Sequence, residues 1–176
     1  MTQSDASTLL AGLEVVFPEF SHKLTAAELD VILPRAEASR IMELEQKLGI
    51  PLPDSYKRFL QITRGFWLLG GGIQFGSNHP FFHHFPPLDK LNPAQRRMVE
   101  RKGGNWPPPS EGMLCFAEYF RDADGDQVLF DVSRGLKGSE YPVMYYSHET
   151  CPPFVEKLAD SFHEWLNNKC LDQMRG

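Results

Sequence analysis

The stretch Arg40–Leu60, RIMELEQKLGIPLPDSYKRFL, decides the fold because it has the pattern of two helices joined by a tight turn. Its first half carries apolar residues at positions i, i+3 and i+7, which share one helical face: Ile41, Leu44 and Leu48. Gly49 follows where a helix commonly ends in a left-handed residue, and Pro53 suits the first turn of a second helix. The sequence therefore predicts a helical hairpin with Leu48 fully buried between its two helices.

The second helix of the hairpin ends at Gly65 and has one apolar face, which we expect to be buried: Tyr56, Phe59 and Leu60. A DNA-reading helix–turn–helix would present a basic, polar recognition helix. Lys57 and Arg58 are the only basic residues inside this helix. The hairpin is therefore predicted to be a packing unit that does not read DNA.

The chain before the hairpin also has helical patterns. A first helix is stopped by Pro18 and carries an apolar stripe at helical spacing: Leu9, Leu10, Leu13, Val16 and Phe17. A second helix is predicted to open at Thr25, because Glu28 three residues later fits a capping box. Its inward residues would be Leu29, Ile32 and Leu33, before Pro34. We expect residues 1–35 to form a helical extension.

After Gly65 the apolar pattern changes from helical to strand-like. Five short runs have the composition of strands: Phe66–Leu69, Ile73–Phe75, Met113–Phe120, Gln127–Val132 and Pro142–Tyr146. The turn-forming segment DADGD, residues 122–126, joins the third and fourth runs as a β-hairpin. Short connections between successive strands favour an antiparallel sheet.

The C-terminal part predicts one amphipathic helix that begins at Pro153. Its buried side would contain five residues at helical spacing: Phe154, Leu158, Phe162, Trp165 and Leu166. Together these patterns predict an α+β fold, in which N-terminal helices and a C-terminal helix pack on an antiparallel β-sheet. Residues from about 79 to 109 fall between the strand runs and are interpreted as an insertion.

The hairpin resembles the signature of the SUKH superfamily, Smi/Knr branch. That signature reads I-x-x-L-E-x-x-L-G and then L-P-x-x-Y-x-x-F-L, and every position matches: Ile41, Leu44, Glu45, Leu48, Gly49, Leu52, Pro53, Tyr56, Phe59 and Leu60. The family usually continues with Asn-Gly, where this chain has Arg64-Gly65. Later segments fit the family in order up to residue 168, so the family-like domain is expected over residues 36–170.

The resemblance implies an α+β domain that binds other proteins. Members act as immunity proteins that neutralise bacterial toxins, or as scaffolds in fungal cell-wall regulation. The resemblance implies no catalytic residue. Most of the matching positions are apolar or helix-capping, so the match supports the fold more strongly than any activity.

Length and composition narrow the class of protein. The chain has 176 residues, of which 41% are hydrophobic and 23% charged, as expected of one globular domain. A formal net charge of -5 weighs against nucleic acid as a partner. The three cysteines lack CxxC spacing, and no apolar run approaches the ~18 residues of a membrane span. We expect a cytoplasmic protein with no membrane or nucleic-acid partner.

Three groups of residues are candidates for a metal site or a reactive thiol, and none has a complete motif. His79, His83 and His84 have side chains that can bind a metal, but their spacing does not require them to meet at one metal ion. The acids of the 122–126 turn lack the glycine and glutamate that complete a calcium loop. Cys151, near His148, could be an activated thiol. We expect no catalytic residue, metal or cofactor. A metal-dependent hydrolase using the His79–His84 region is the alternative hypothesis.

Two surface features favour a protein partner. The 122–126 turn is acidic, which suits a basic partner such as a toxin domain. The insertion carries aromatic residues that would serve as interface anchors or else pack onto the sheet. The predicted contact residues are therefore Asp122, Asp124, Asp126, Phe81, Phe82 and Trp106. The leading hypothesis is an immunity protein that neutralises a toxin, and the alternative of the same fold is a regulatory scaffold.

Overall fold

The computed structural model describes residues 3–68, 73–75, 112–119, 126–147 and 154–175. These residues form one antiparallel sheet whose seven strands are neighbours in chain order, with helices packed against one face. The strands are β1 Leu29–Ile32, β2 Phe66–Leu68, β3 Ile73–Phe75, β4 Met113–Tyr119, β5 Asp126–Asp131, β6 Val143–Ser147 and β7 Phe154–Ala159. The predicted α+β class and antiparallel sheet are confirmed.

The described helices lie before, between and after the strands. Two short helices end the described chain, and Ser161 caps the first of them by accepting a hydrogen bond from the Glu164 amide. The helices are α1 Gln3–Val16, α2 Pro18–Lys23, α3 Ala38–Leu48, α4 Asp54–Ile62, α5 Phe162–Asn168 and α6 Cys170–Arg175. Pro18 is the first residue of α2, so it ends the first predicted helix and starts another.

The helical hairpin forms as the sequence predicts. Gly49 ends α3 in the left-handed conformation with φ of 69°, and Pro53 lies at the N-cap of α4. Ile41 is buried, but Leu48 is only partly buried. The prediction that Leu48 is fully enclosed was therefore wrong, because the last turn of α3 lies at the margin of the core.

Aromatic side chains form the centre of the main core. The Tyr56 ring of α4 lies 5.0 Å from the Phe162 ring and 5.3 Å from the Phe130 ring, between centroids. Phe116 and Phe130 stack on neighbouring strands with centroids 4.1 Å apart. Such pairs stabilise a core beyond the area that they bury. The core thus fastens α4 and α5 to the middle of the sheet.

The N-terminal extension shares this core. Phe17 lies edge-on to Phe162, with ring centroids 5.8 Å apart, and Leu29 of β1 pairs with Leu68 of β2. The Phe20 amide in the first turn of α2 donates to Asn167 Oδ1 of α5 over 3.1 Å. The buried Asn167 therefore satisfies an amide that has no partner within its own helix.

The predicted second helix of the extension is wrong. Thr25 and Glu28 do form the capping box, but it encloses a single 3-10 turn, Ala26–Glu28. The chain then continues as β1 along the edge of the sheet. Pairing with β2 supplies backbone hydrogen bonds, and the β-branched Val31 and Ile32 suit a strand. The local capping signal was correct, and tertiary pairing determined what followed it.

The single C-terminal helix predicted from Pro153 is also wrong. Phe154–Ala159 is the edge strand β7, which pairs with β6, and helix begins only at Phe162. Leu158 from the strand and Trp165 from α5 reach the same core, so their spacing imitated one helical stripe. The backbone hydrogen bonds available at the β6 edge explain why the strand forms there.

The aromatic core gives a direct stability prediction. Phe59 has no solvent exposure and contacts the rings of Phe17 and Phe162, so Phe59→Ala should lower the free energy of unfolding by about 3–5 kcal/mol. Met42 is 57% exposed on α3, so Met42→Ala should change it by less than about 0.5 kcal/mol. Urea denaturation measures both values. Equal losses for the two variants would contradict this placement of the core.

The bond from α2 to α5 gives a second prediction. Asn167→Ala removes the acceptor of the buried Phe20 amide and should cost about 1–3 kcal/mol. The adjacent Asn168 is exposed, so Asn168→Ala is the matched control and should be nearly neutral. Thermal unfolding of both variants tests the difference. A neutral Asn167→Ala variant would show that this contact does not hold α2 in place.

Candidate protein-binding site

Most of the predicted contact residues lie outside the described ranges. The sequence expectations for them stay predictions, and they concern the acidic turn and the aromatic insertion: Asp122, Asp124, Phe81, Phe82 and Trp106. The residues considered for metal binding or nucleophilic chemistry lie outside those ranges too: His79, His83, His84, His148 and Cys151.

Asp126 is the one predicted contact residue that the structure places. It is the first residue of β5, is 1% exposed, and its carboxylate accepts a hydrogen bond from the Tyr145 hydroxyl of β6. The expectation that Asp126 is part of an exposed acidic surface is therefore corrected. A carboxylate at this depth needs hydrogen-bond donors, and the paired strand provides one.

Two tyrosines of β6, Tyr145 and Tyr146, have hydroxyl groups with raised pKa values, so both stay uncharged near Asp126. Burial and the hydrogen bond to Asp126 raise the pKa of Tyr145 far above its usual range. Burial, helped by the charge of Asp126, raises the pKa of Tyr146 to about 12. Tyr145 therefore stays protonated and remains a donor to Asp126. Asp126, the last residue of the acidic turn, acts as a structural anchor for β5.

The signature residues of the hairpin build core. Several are buried, with exposures of 5% or less: Ile41, Leu52, Tyr56, Phe59 and Leu60. Glu45 is the polar member of the signature, and its Oε1 accepts from the Leu52 amide over 2.7 Å. Lys57 Nζ lies 3.6 Å from the same oxygen. Glu45 thereby ties α3 to the start of α4 across the turn at Gly49.

A second contact, which we call the clamp, joins α4 to the β5–β6 loop. Glu140 accepts from the Ser55 amide over 2.9 Å and from the Ser55 hydroxyl over 2.6 Å. The preceding carbonyl, that of Ser139, accepts from the Asp54 amide over 3.0 Å. Two amides in the first turn of α4 thus receive acceptors from the loop, as helix N-termini require. The carboxylate also complements the positive end of the helix dipole.

The clamp holds its loop in an uncommon conformation. Ser139 has φ of 67°, the left-handed region that non-glycine residues seldom occupy. The next two residues fix the chain, because Glu140 bonds to Ser55 and Tyr141 is fully buried. Burial, followed by the negative charge of Glu45, raises the pKa of the Tyr141 hydroxyl. The signature hairpin and the loop therefore form one polar and aromatic unit.

This arrangement positions backbone and does not suit covalent or metal chemistry. Cys115 and Cys170 are fully buried, and burial raises the pKa of the Cys170 thiol far above its usual range. A buried neutral thiol is a poor nucleophile. Within the ranges that the structure describes, no group of three or more His, Cys, Asp or Glu side chains could hold a metal ion. The described polar contacts of this site position backbone groups.

Sequence reasoning missed Glu140, Ser55 and Asn167. Ser55 and Glu140 are 85 residues apart, and neither interrupts a local pattern, so no signal in the sequence paired them. Asn167 offered a weak signal, because it is a polar residue directly after the apolar pair Trp165-Leu166.

The clamp predicts a measurable coupling. Ser55→Ala and Glu140→Gln should each destabilise the fold, and the double variant should lose less than the sum of the two. The expected coupling is about 1–2 kcal/mol, since both changes act on the one charge-assisted bond from the Ser55 hydroxyl to the Glu140 carboxylate. The bond from the Ser55 amide to Glu140 remains in Ser55→Ala. Urea denaturation of the four proteins completes the cycle. Glu37→Gln is the control, because that exposed side chain pairs only with Arg35 at 3.5 Å among described residues. Strict additivity would contradict the clamp.

The first turn of α4 also predicts a pH dependence. The Lys57 ammonium lies 2.9 Å from Asp54 and lowers the carboxyl pKa below its usual 3.8. That stabilisation is present above the pKa of unfolded Asp and is lost as pH falls through the lower folded value. Unfolding free energy should therefore fall in acid less steeply for Asp54→Asn than for wild type. Asp30→Asn removes an exposed carboxylate elsewhere and serves as the control. Identical acid limbs for Asp54→Asn and wild type would refute this linkage.

Comparison with known proteins bears on the signature directly. Residues 35–168 match the SMI1 / KNR4 family (SUKH-1), a span of well over half of the chain. A search of the curated proteins found no match. Among the described helices, none is both long enough and apolar enough to cross a membrane. The family is generally non-enzymatic, and SUKH domains generally bind protein partners. The chain belongs to the SMI1 / KNR4 family (SUKH-1), as its signature predicted.

Proposed function

We propose that this chain is a non-catalytic protein-binding domain, and specifically an immunity protein that neutralises a toxin in the cytoplasm. The observation that carries the proposal is that the family signature has a structural role in this chain. Its described residues serve the core and the turn between α3 and α4, and none forms part of a reactive group. Because the signature residues build the core, the contacts with a partner are expected to come from surface loops.

The partner surface in this proposal comprises the acidic turn and the aromatic insertion. Asp122 and Asp124 lie in the sequence between β4 and β5, two strands that pair with each other. Asp126 has a supporting role, since its bond from Tyr145 fixes the first residue of β5. Phe81, Phe82 and Trp106 in the insertion supply candidate anchors.

Charge gives the chemistry of the partner. The chain carries a net charge of -5, and two carboxylates in one turn concentrate negative potential at the proposed surface. A basic toxin domain would be drawn to that surface, and its association rate would fall with added salt. The aromatic anchors would then slow dissociation once the surfaces meet.

A regulatory scaffold of the Smi/Knr type is the second candidate. It is supported by the same family match. The two candidates differ in what they bind. An immunity protein takes one toxin in a one-to-one complex, whereas a scaffold takes several regulatory proteins.

Affinity capture from the native cell lysate, followed by mass spectrometry, distinguishes these candidates. The immunity proposal expects one basic protein in near-equal amount, and co-expression of the chain should relieve its toxicity. Several signalling or cell-wall proteins in substoichiometric amounts would favour the scaffold. Capture of nothing at low salt would contradict both.

The retained protein then tests the surface. Asp122→Asn with Asp124→Asn should slow association about 3- to 10-fold at low salt and flatten its salt dependence, because rim charges act mainly on the association rate. Glu14→Gln with Glu19→Gln removes the same charge from exposed positions on α1 and α2 and is the matched control. Stopped-flow or surface binding measures the rates. Equal slowing by both pairs would assign the effect to net charge and overturn the proposed surface.

A further inference from the structure

We draw no further inference here: the strongest candidate, the second apolar cluster of the sheet formed by Met113, Cys115, Leu129 and Tyr146, carries nothing because nothing in the described ranges of the structure shows what covers it.

Discussion

Tyr56 lies where the signature hairpin meets the sheet, and the packing of its ring positions α4 against two strands and α5. The ring stacks near Phe59 on its own helix, contacts Phe116 and Phe130 on two central strands, and lies edge-on to Phe162 of α5. Because interiors are close-packed, moving α4 would displace both strands and α5 together. The polar contacts of the hairpin then have fixed partners. Ser55, the preceding residue, is brought to Glu140, and Lys57, the following one, to Glu45 of α3.

The polar contacts of α4 fix its orientation on the sheet. Hydrophobic burial holds α4 against the sheet but does not by itself set its rotation or its end point. Glu45 and Glu140 set both. Glu45 accepts a hydrogen bond from the Leu52 amide, and Glu140 accepts one from the Ser55 amide. These contacts link α3, α4 and the β5–β6 loop at one end of the molecule. Asp126, the last residue of the acidic turn and the first of β5, is held by a hydrogen bond from Tyr145.

Local patterns predicted the parts of the fold that local chemistry controls. The 3.6-residue period of α3, the left-handed glycine at its end and the apolar face of α4 were read correctly, since each depends on neighbours in sequence. The strands at the sheet edges were not, because β1 and β7 form by pairing with a neighbouring strand, and the spacing of their own apolar residues does not show that pairing. The same limit applied to the site. Glu140 and Asn167 act on residues 85 and 147 positions away, and the burial of Asp126 depends on β6.

We propose that the signature builds the core while the acidic turn and the insertion contact the partner. Hydrogen–deuterium exchange of the chain, alone and bound to the protein retained from its native lysate, tests this most directly. We expect added protection in peptides covering residues 76–111 and 120–125, with little change in peptides covering α3, α4 and the clamp. Protection confined to α3, α4 and the 132–142 loop, with no change in the acidic turn or the insertion, would contradict it.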